Sequence, residues 1–274
     1  MLAPTLPDPS PPRTAPLILL NTPWIELWPA WLLRARSNAD ARALAQGRWA
    51  MRRKSDGRYL AVELPQGWRG LTACWHRMPG IDGALRAAAA LPHASARTPA
   101  TLPLHALRER LHALGLDPDA YAASTGLTLV PEPAWLAHAG FDRYRRPLWL
   151  HPQAARAWRR LRAAALRDGI ALDAISGYRS HDYQLGIFER KRARGLGVAD
   201  ILTVNAAPGY SEHHSGRALD IGTPGEPPAE ESFEQTAAFA WLRREASGHG
   251  FRMSYPRDNP HGIVYEPWHW YCIA

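Results

Sequence analysis

Histidines and acids cluster near the C-terminal end of this 274-residue chain at spacings suited to holding and using a metal ion. They fall in Ser211-Glu212-His213-His214-Ser215-Gly216-Arg217-Ala218-Leu219-Asp220 and in Glu266-Pro267-Trp268-His269, with Ser176-Gly177-Tyr178-Arg179-Ser180 upstream. Two imidazoles and one carboxylate make three protein ligands, and a water can take the fourth position. A spare carboxylate three residues before the last imidazole can serve as the base, which completes the parts of a metal-dependent hydrolase. His213 and its neighbour His214 cannot point the same way in extended chain, so one of the two ligates and the other does not. Gly216 lets the backbone bend before the strand that carries Asp220. Glu266 and His269 would face opposite sides of a regular strand. Pro267 between them forbids a regular ladder and implies a bulge or an edge, where the two side chains can converge. Trp268 and Trp270 then become core or cleft wall. The plainer alternative is a proline-interrupted strand with one exposed acid and one buried histidine.

The elements that must position these residues follow from periodicity and breakers. From about Val130, His151-Pro152 opens a periodic helix through Ala165, with Trp158, Leu161 and Leu166 on one side and arginines on the other. Ile170 to Ser176 alternates like a strand, and Asp182 to Arg194 reads as a helix capped around Ser180 and stopped at Gly195. Ala218 to Gly222 is a short buried strand, Glu234 to Ala246 a third helix, and Gly250 to Tyr255 and Ile263 to Ile273 the last strands. Helices early and short strands late predict an α+β fold with an antiparallel sheet. Upstream, Lys54-Ser55-Asp56-Gly57 joins two strand-like runs as a hairpin. Trp24, Trp28 and Trp31 recur near helical spacing, which favours core packing over a ligand surface. The domain reading is a proline-rich disordered arm over 1–16 and a small tryptophan-rich α+β module over 17–93. A linker with short helices over 94–129 and a catalytic domain over 130–274 complete it.

Composition bounds the answer without deciding it. A hydrophobic content of 46% with 12 tryptophans excludes a wholly disordered protein. The net charge of +8 is carried by arginine, the only lysines being Lys54 and Lys191. Such a bias reads as genome base composition or as attraction to a polyanion, and no nucleic-acid-binding signature favours nucleic acid. Cys74 and Cys272 form neither a disulfide framework nor a thiolate metal site. The apolar stretch from Leu17 to Leu33 is interrupted by Asn21, Pro23, Glu26 and Pro29, so no membrane span is expected. The start does not read as a signal peptide, which gives a cytoplasmic protein as written, or one of the cell envelope if the true start or export route differs. A monomer is expected.

Together with Arg179, the three stretches resemble the VanY-type D-alanyl-D-alanine carboxypeptidases, zinc peptidases whose fold is shared with the hedgehog signalling domain. The family pattern appears here as Ser176, Arg179, Ser180 and Gln184; then Ser211, His213, Gly216, Ala218 and Asp220; then Glu266, Pro267, Trp268 and His269. Gly250-Phe251 followed by Tyr255-Pro256 is also similar to the family. The resemblance runs from about Trp135 to Ala274, and the first half resembles nothing identifiable. It implies one Zn2+ per chain on His213, Asp220 and His269, with Glu266 as catalytic base. Arg179, a fixed fork of donors for a carboxylate or an oxyanion, joins Glu266 in catalysis, while Gln184, Ser211, Ser180 and Trp268 contact the substrate. Read on their own, Arg179 could be a surface arginine at a helix start, Gln184 an exposed helix residue and Ser211 a turn former. His249, His261, Asp258 and Asp182 are assigned no ligand role, and His-Glu-x-x-His is absent. The implied activity removes a terminal D-alanine from peptidoglycan stem peptides or their precursors, across a D,D- or an L,D-bond. The alternatives are an endopeptidase of the same fold, or a zinc-stabilised protein that binds cell wall or polyanions without catalysis.

Overall fold

The chain was studied as a computed structural model, which describes residues 17–90, 98–104 and 107–274. The expected arm over 1–16 and the first part of the expected linker lie outside the described residues. The first half is built on strands β1 (Ile18–Asn21), β2 (Ile25–Pro29), β3 (Trp49–Arg53), β4 (Tyr59–Leu64) and β5 (Gly67–Gly70), with helices α1 (Asn38–Gln46) and α2 (Ile81–Ala89). Two short helices follow, α3 (Leu107–Ala113) and α4 (Pro118–Thr125), the latter capped by Asp117 and opened by Pro118. Then come β6 (Trp135–Phe141), β7 (Pro147–Leu150), α5 (Pro152–Arg167), β8 (Asp173–Ser176), α6 (His181–Ala193) and α7 (Val198–Thr203). The chain ends with β9 (Ala218–Gly222), α8 (Ala237–Glu245), β10 (Phe251–Met253) and β11 (His269–Cys272).

These strands form two antiparallel sheets. One has seven strands in the order β5-β4-β3-β2-β1-β6-β7, and the other has four in the order β10-β11-β9-β8. The larger sheet therefore crosses position 130, where the sequence reading started a new domain: β6 pairs with β1 through Leu19↔Leu136 and neighbouring partners. The β3–β4 hairpin stands where the Lys54–Gly57 turn predicts it. The helical spacing of Trp24, Trp28 and Trp31 is misleading. Trp28 lies on β2, and Trp24 and Trp31 are each 42% exposed, so core packing fails for those two.

Helix α5 buries Trp158, Leu161, Ala154 and Ala165 in a core it shares with β6 and β7 of the larger sheet, with the smaller sheet and with α8. Leu166, expected on that buried side, is 69% exposed, because at about 100° per residue it lies to one side of the face formed by Ala154, Trp158, Leu161 and Ala165. The last strand is also shorter than its alternation suggests. Residues 263–266 are not strand, and β11 begins only after the Pro267–Trp268 turn.

Strand β7 is the contact between the two sheets and the functional segments. Tyr178 N donates to Trp149 O at 3.0 Å and His151 N donates to Gly216 O at 2.8 Å. The close approach needs glycine. A Cβ on Gly177 would lie 2.8 Å from Leu148 Cδ1 and 3.0 Å from Trp149 O. Gly216 has φ +67°, and a Cβ there would lie 2.5 Å from Leu136 Cδ2 and 2.8 Å from His151 N. Gly225 has φ +87° with nothing within 4 Å of a Cβ. Both Gly→Ala changes incur about 1–3 kcal/mol of left-handed backbone strain. Gly216→Ala adds a clash with backbone, so denaturant unfolding should find it clearly less stable than Gly225→Ala; equal losses would remove the close-approach argument.

Candidate metal centre and active site

Register brings the ligand candidates together. Asp220 on β9 stands directly opposite His269 on β11, and Ser176 on β8 lies on its other side. His213 comes from the short 3₁₀ turn Glu212–Ser215 just before β9, which directs it toward the same place. His213 Nε2 is 3.4 Å and His269 Nδ1 3.2 Å from Asp220 Oδ1, and the three donor atoms lie within 4.8 Å of one another. Metal–ligand bonds of about 2.0–2.1 Å arranged tetrahedrally put their donor atoms about 3.3 Å apart, so this set fits a tetrahedrally held cation.

Each ring is fixed by the nitrogen that faces away. His213 Nδ1–H donates to Gly177 O at 2.7 Å, which leaves Nε2 bare toward the centre. His269 is turned the other way round: Nδ1 faces the centre and Nε2–H donates to Glu212 Oε2 at 2.9 Å. Glu212 is itself held by Ser254 Oγ at 2.6 Å and by Arg252 Nη2 at 3.3 Å, both from the segment of β10. His214 points away from the centre and is wholly buried. Its Nε2 accepts from Gly209 N at 3.0 Å and its Nδ1–H donates to Arg179 O at 2.6 Å.

The second acid sits beside the third ligand. His269 N donates to Glu266 O at 3.1 Å, closing a turn at Pro267–Trp268 that brings Glu266 Oε2 to 3.7 Å from His269 Nδ1. The proline thus makes a turn ahead of the strand rather than a bulge within it. Arg179, at the start of α6, lines the same cleft with Gln184, Ser211, Trp268 and Tyr255. Arg179 Nη1 donates to Gln184 Oε1 at 2.9 Å, and Gln184 Nε2 donates to Ala206 O at 2.9 Å. Gln184 is therefore occupied at both ends in holding the arginine. Ser180 stands apart from the others. Its hydroxyl caps α6 by accepting from Tyr183 N at 3.1 Å, and it lines a different cavity on the far side of the loop. His261 bonds Thr125 O, His249 stacks on Trp241, and Asp182 pairs with Arg110, so none of these faces the centre.

Electrostatics mark the centre as short of positive charge. Burial raises the Glu266 carboxyl to about 7, with help from Asp220 and against the pull of His269 and Arg179. Burial alone would lower His269, but its hydrogen bonds to Asp220 and Glu212 raise it to about 10. Burial works against ionised Asp220 as well, and the two imidazoles overcome it, holding that carboxyl far below the usual range. Without a metal, one imidazolium serves three acids: Asp220, Glu212 and Glu266.

Sequence reasoning missed Glu212 and His214 as working residues. An acid beside a ligand histidine looks like any turn acid, and its bond to His269 joins positions far apart in the chain.

The family model for VanY, D-alanyl-D-alanine carboxypeptidase, matches residues 147–274. YodJ of Bacillus subtilis (strain 168) is 35% identical over 133 residues, which cover 47% of this chain and 48% of YodJ. The bifunctional D-Ala-D-Ala dipeptidase and D-Ala-D-Ala carboxypeptidase VanXYC of Enterococcus gallinarum is 33% identical over 149 residues, 52% of this chain and 76% of that protein. Among solved structures, the LdcB LD-carboxypeptidase is similar with a TM-score of 0.44 and 33% identity, covering 46% of this chain and 60% of that one. The matched part thus spans about half the length of YodJ and leaves the first half of this chain uncovered.

Two outcomes follow from the geometry. Glu212→Gln keeps the shape but weakens the orientation of His269, so titration with a divalent metal should show affinity about 10–100-fold lower with the fold intact. Metal must also displace the proton that His269 otherwise keeps up to about pH 10. Calorimetry in buffers of different ionisation enthalpy should therefore find proton release on metal binding and affinity rising with pH. Binding without proton release would mean that His269 is neutral in the metal-free protein.

Proposed function

The chain belongs to the VanY D-alanyl-D-alanine carboxypeptidase family, and we propose that it is a zinc-dependent carboxypeptidase. Its substrates would be peptidoglycan stem peptides or their precursors, from which it removes a terminal D-alanine. The observation that carries this reading is the largely buried Glu266 carboxylate 3.7 Å from the imidazole of His269, in a cleft it shares with Arg179. A protein that used the metal only for stability would have no need of a second acid withdrawn from solvent at that point.

In this reading His213 through Nε2, Asp220 through its carboxylate and His269 through Nδ1 hold one Zn2+. The chemistry supplied by bound zinc is Lewis acidity, which lowers the pKa of a water from about 15.7 to about 7 and polarises the scissile carbonyl. Glu266 takes the proton of the attacking water and delivers it to the leaving amine. A carboxyl raised by burial suits both halves of that task, since it must accept and release a proton near neutral pH. Arg179 offers permanent N–H donors either to the oxygen that becomes negative as water adds or to the terminal carboxylate of the peptide. Gln184 keeps the guanidinium aimed, and Ser211 and Trp268 form walls that limit what enters. The buried setting strengthens each of these contacts by excluding water.

The test is direct. The zinc-loaded protein is incubated with pentapeptide and tetrapeptide stem substrates and the products are read by mass. Loss of D-alanine from the pentapeptide marks the D,D-bond, loss from the tetrapeptide the L,D-bond, and cleavage at an internal bond an endopeptidase. Glu266→Gln should lower turnover by about 10²–10⁴-fold while zinc content and melting temperature stay nearly unchanged. Release of no amino acid or peptide by the zinc-loaded protein would overturn the enzymatic reading and leave a metal-stabilised binding protein.

A further inference from the structure

Glu132, in the segment before β6, is almost fully buried and collects donors from three separate parts of the chain. Asn21 Nδ2, at the end of β1, donates to Oε2 at 3.0 Å, and Lys54 Nζ, just after β3, forms an ion pair with the same oxygen. From the other side Tyr178 OH donates to Oε2 at 2.6 Å and His181 N donates to Oε1 at 2.7 Å. Tyr178 and His181 are the residues that bracket Arg179 and Ser180. Further bonds tie the same loop down: His181 Nε2–H to Val130 O at 2.8 Å, and Arg179 N to His213 O at 3.2 Å. The side chain of Lys54 is 1% exposed. Only two lysines occur among 33 basic residues, and one of them fills this site. A compact ammonium fits a closed pocket where the wide guanidinium fork would not.

Stability alone is a poor explanation for such a pair. Removing two charges from water costs several kcal/mol per ion, and apolar residues of similar volume often do as well or better. What the hub supplies is a fixed place for the loop. Tyr178 and His181 are held by one carboxylate whose own position is set by the large sheet, and Arg179 between them has its backbone bonded to both histidines of the His213–His214 pair.

We propose that Lys54 and Glu132 are positioning residues for Arg179, so that the N-terminal sheet acts as an internal brace for the catalytic cleft. This rests on the reading above that Arg179 contacts the substrate. A misplacement of about 1 Å in a reacting group can cost about 10²-fold in rate, so loss of the brace should show mainly in catalysis.

The experiment combines Lys54→Met and Glu132→Gln, each alone, with and without Arg179→Ala, in the zinc-loaded full chain. Each single change should lower kcat/KM by about 10–100-fold with zinc content retained, and should cost almost nothing further once Arg179 is alanine. Amide exchange is followed in parallel, and Arg179 and His181 should lose protection more than α5 does. If Lys54→Met alone does not fold, the charge-free pair Lys54→Met/Glu132→Gln carries the same comparison. Costs that add fully to that of Arg179→Ala, or unchanged exchange at residues 178–181, would overturn the brace. If Arg179→Ala itself costs nothing, or no peptide is cleaved at all, the role given to Arg179 falls. Exchange alone then decides whether Lys54 and Glu132 order the loop.

Discussion

Everything at the centre depends on one strand register. Asp220 and His269 are partners across β9 and β11, and a slip of one residue between the two strands would leave their side chains on opposite faces of the sheet. Several features guard that register. Ile221 N bonds Trp268 O at 2.8 Å, Cys272 N bonds Arg217 O at 3.0 Å, and Trp270 anchors the core beneath. The turn at Pro267 fixes where β11 begins, and so which residue meets Asp220.

Given that register, the charges follow. Three acids, Asp220 buried and Glu212 and Glu266 largely so, converge on two imidazoles, and no apolar packing could make such a cluster comfortable. A dication would resolve it, because it would let Glu266 ionise beside Asp220 and would take the place of the extra proton on His269. The orientation of each ring is then a matter of its outer partner: a backbone carbonyl for His213 and a carboxylate for His269. The acid on His269 would make that ring the more electron-rich of the two toward a bound metal.

Much of this was legible in the sequence, though unevenly. Spacing alone brought His213, Asp220, Glu266 and His269 into one hypothesis, because short-range constraints such as Pro267 and Gly216 act on near neighbours. The β3–β4 hairpin and α5 were likewise written in local periodicity and turn residues. Local pattern failed where a tertiary surface decided the outcome. Leu166 is apolar but lies to one side of the face that α5 buries, and the three early tryptophans keep a helical spacing on a strand and its flanks. Glu132 was invisible for a different reason. Its partners Asn21, Lys54 and Tyr178 stand in segments with no pattern in common, and only the fold makes them neighbours. Ser180 shows the opposite limit: a residue within a recognisable motif whose hydroxyl is spent on a helix cap.

The continuity of the large sheet across both halves has a consequence for the order of folding. Strand β1 finds its second neighbour only in β6, so Ile18 must await Ala137 from far along the chain. A growing polypeptide can close the β2 to β5 strands early, through the β3–β4 and β4–β5 hairpins and the short α1 connection, but β1 keeps an open edge until β6 has been made. Strand β7 follows at once and completes the surface on which Gly177 and Gly216 later settle. The first half is thus the template that the second half closes, and separating the two at the start of the family match would cut the sheet between β6 and β7. The isolated C-terminal piece would carry a bare strand edge beside the loops of Gly177 and Gly216, the kind of surface that draws other chains into pairing.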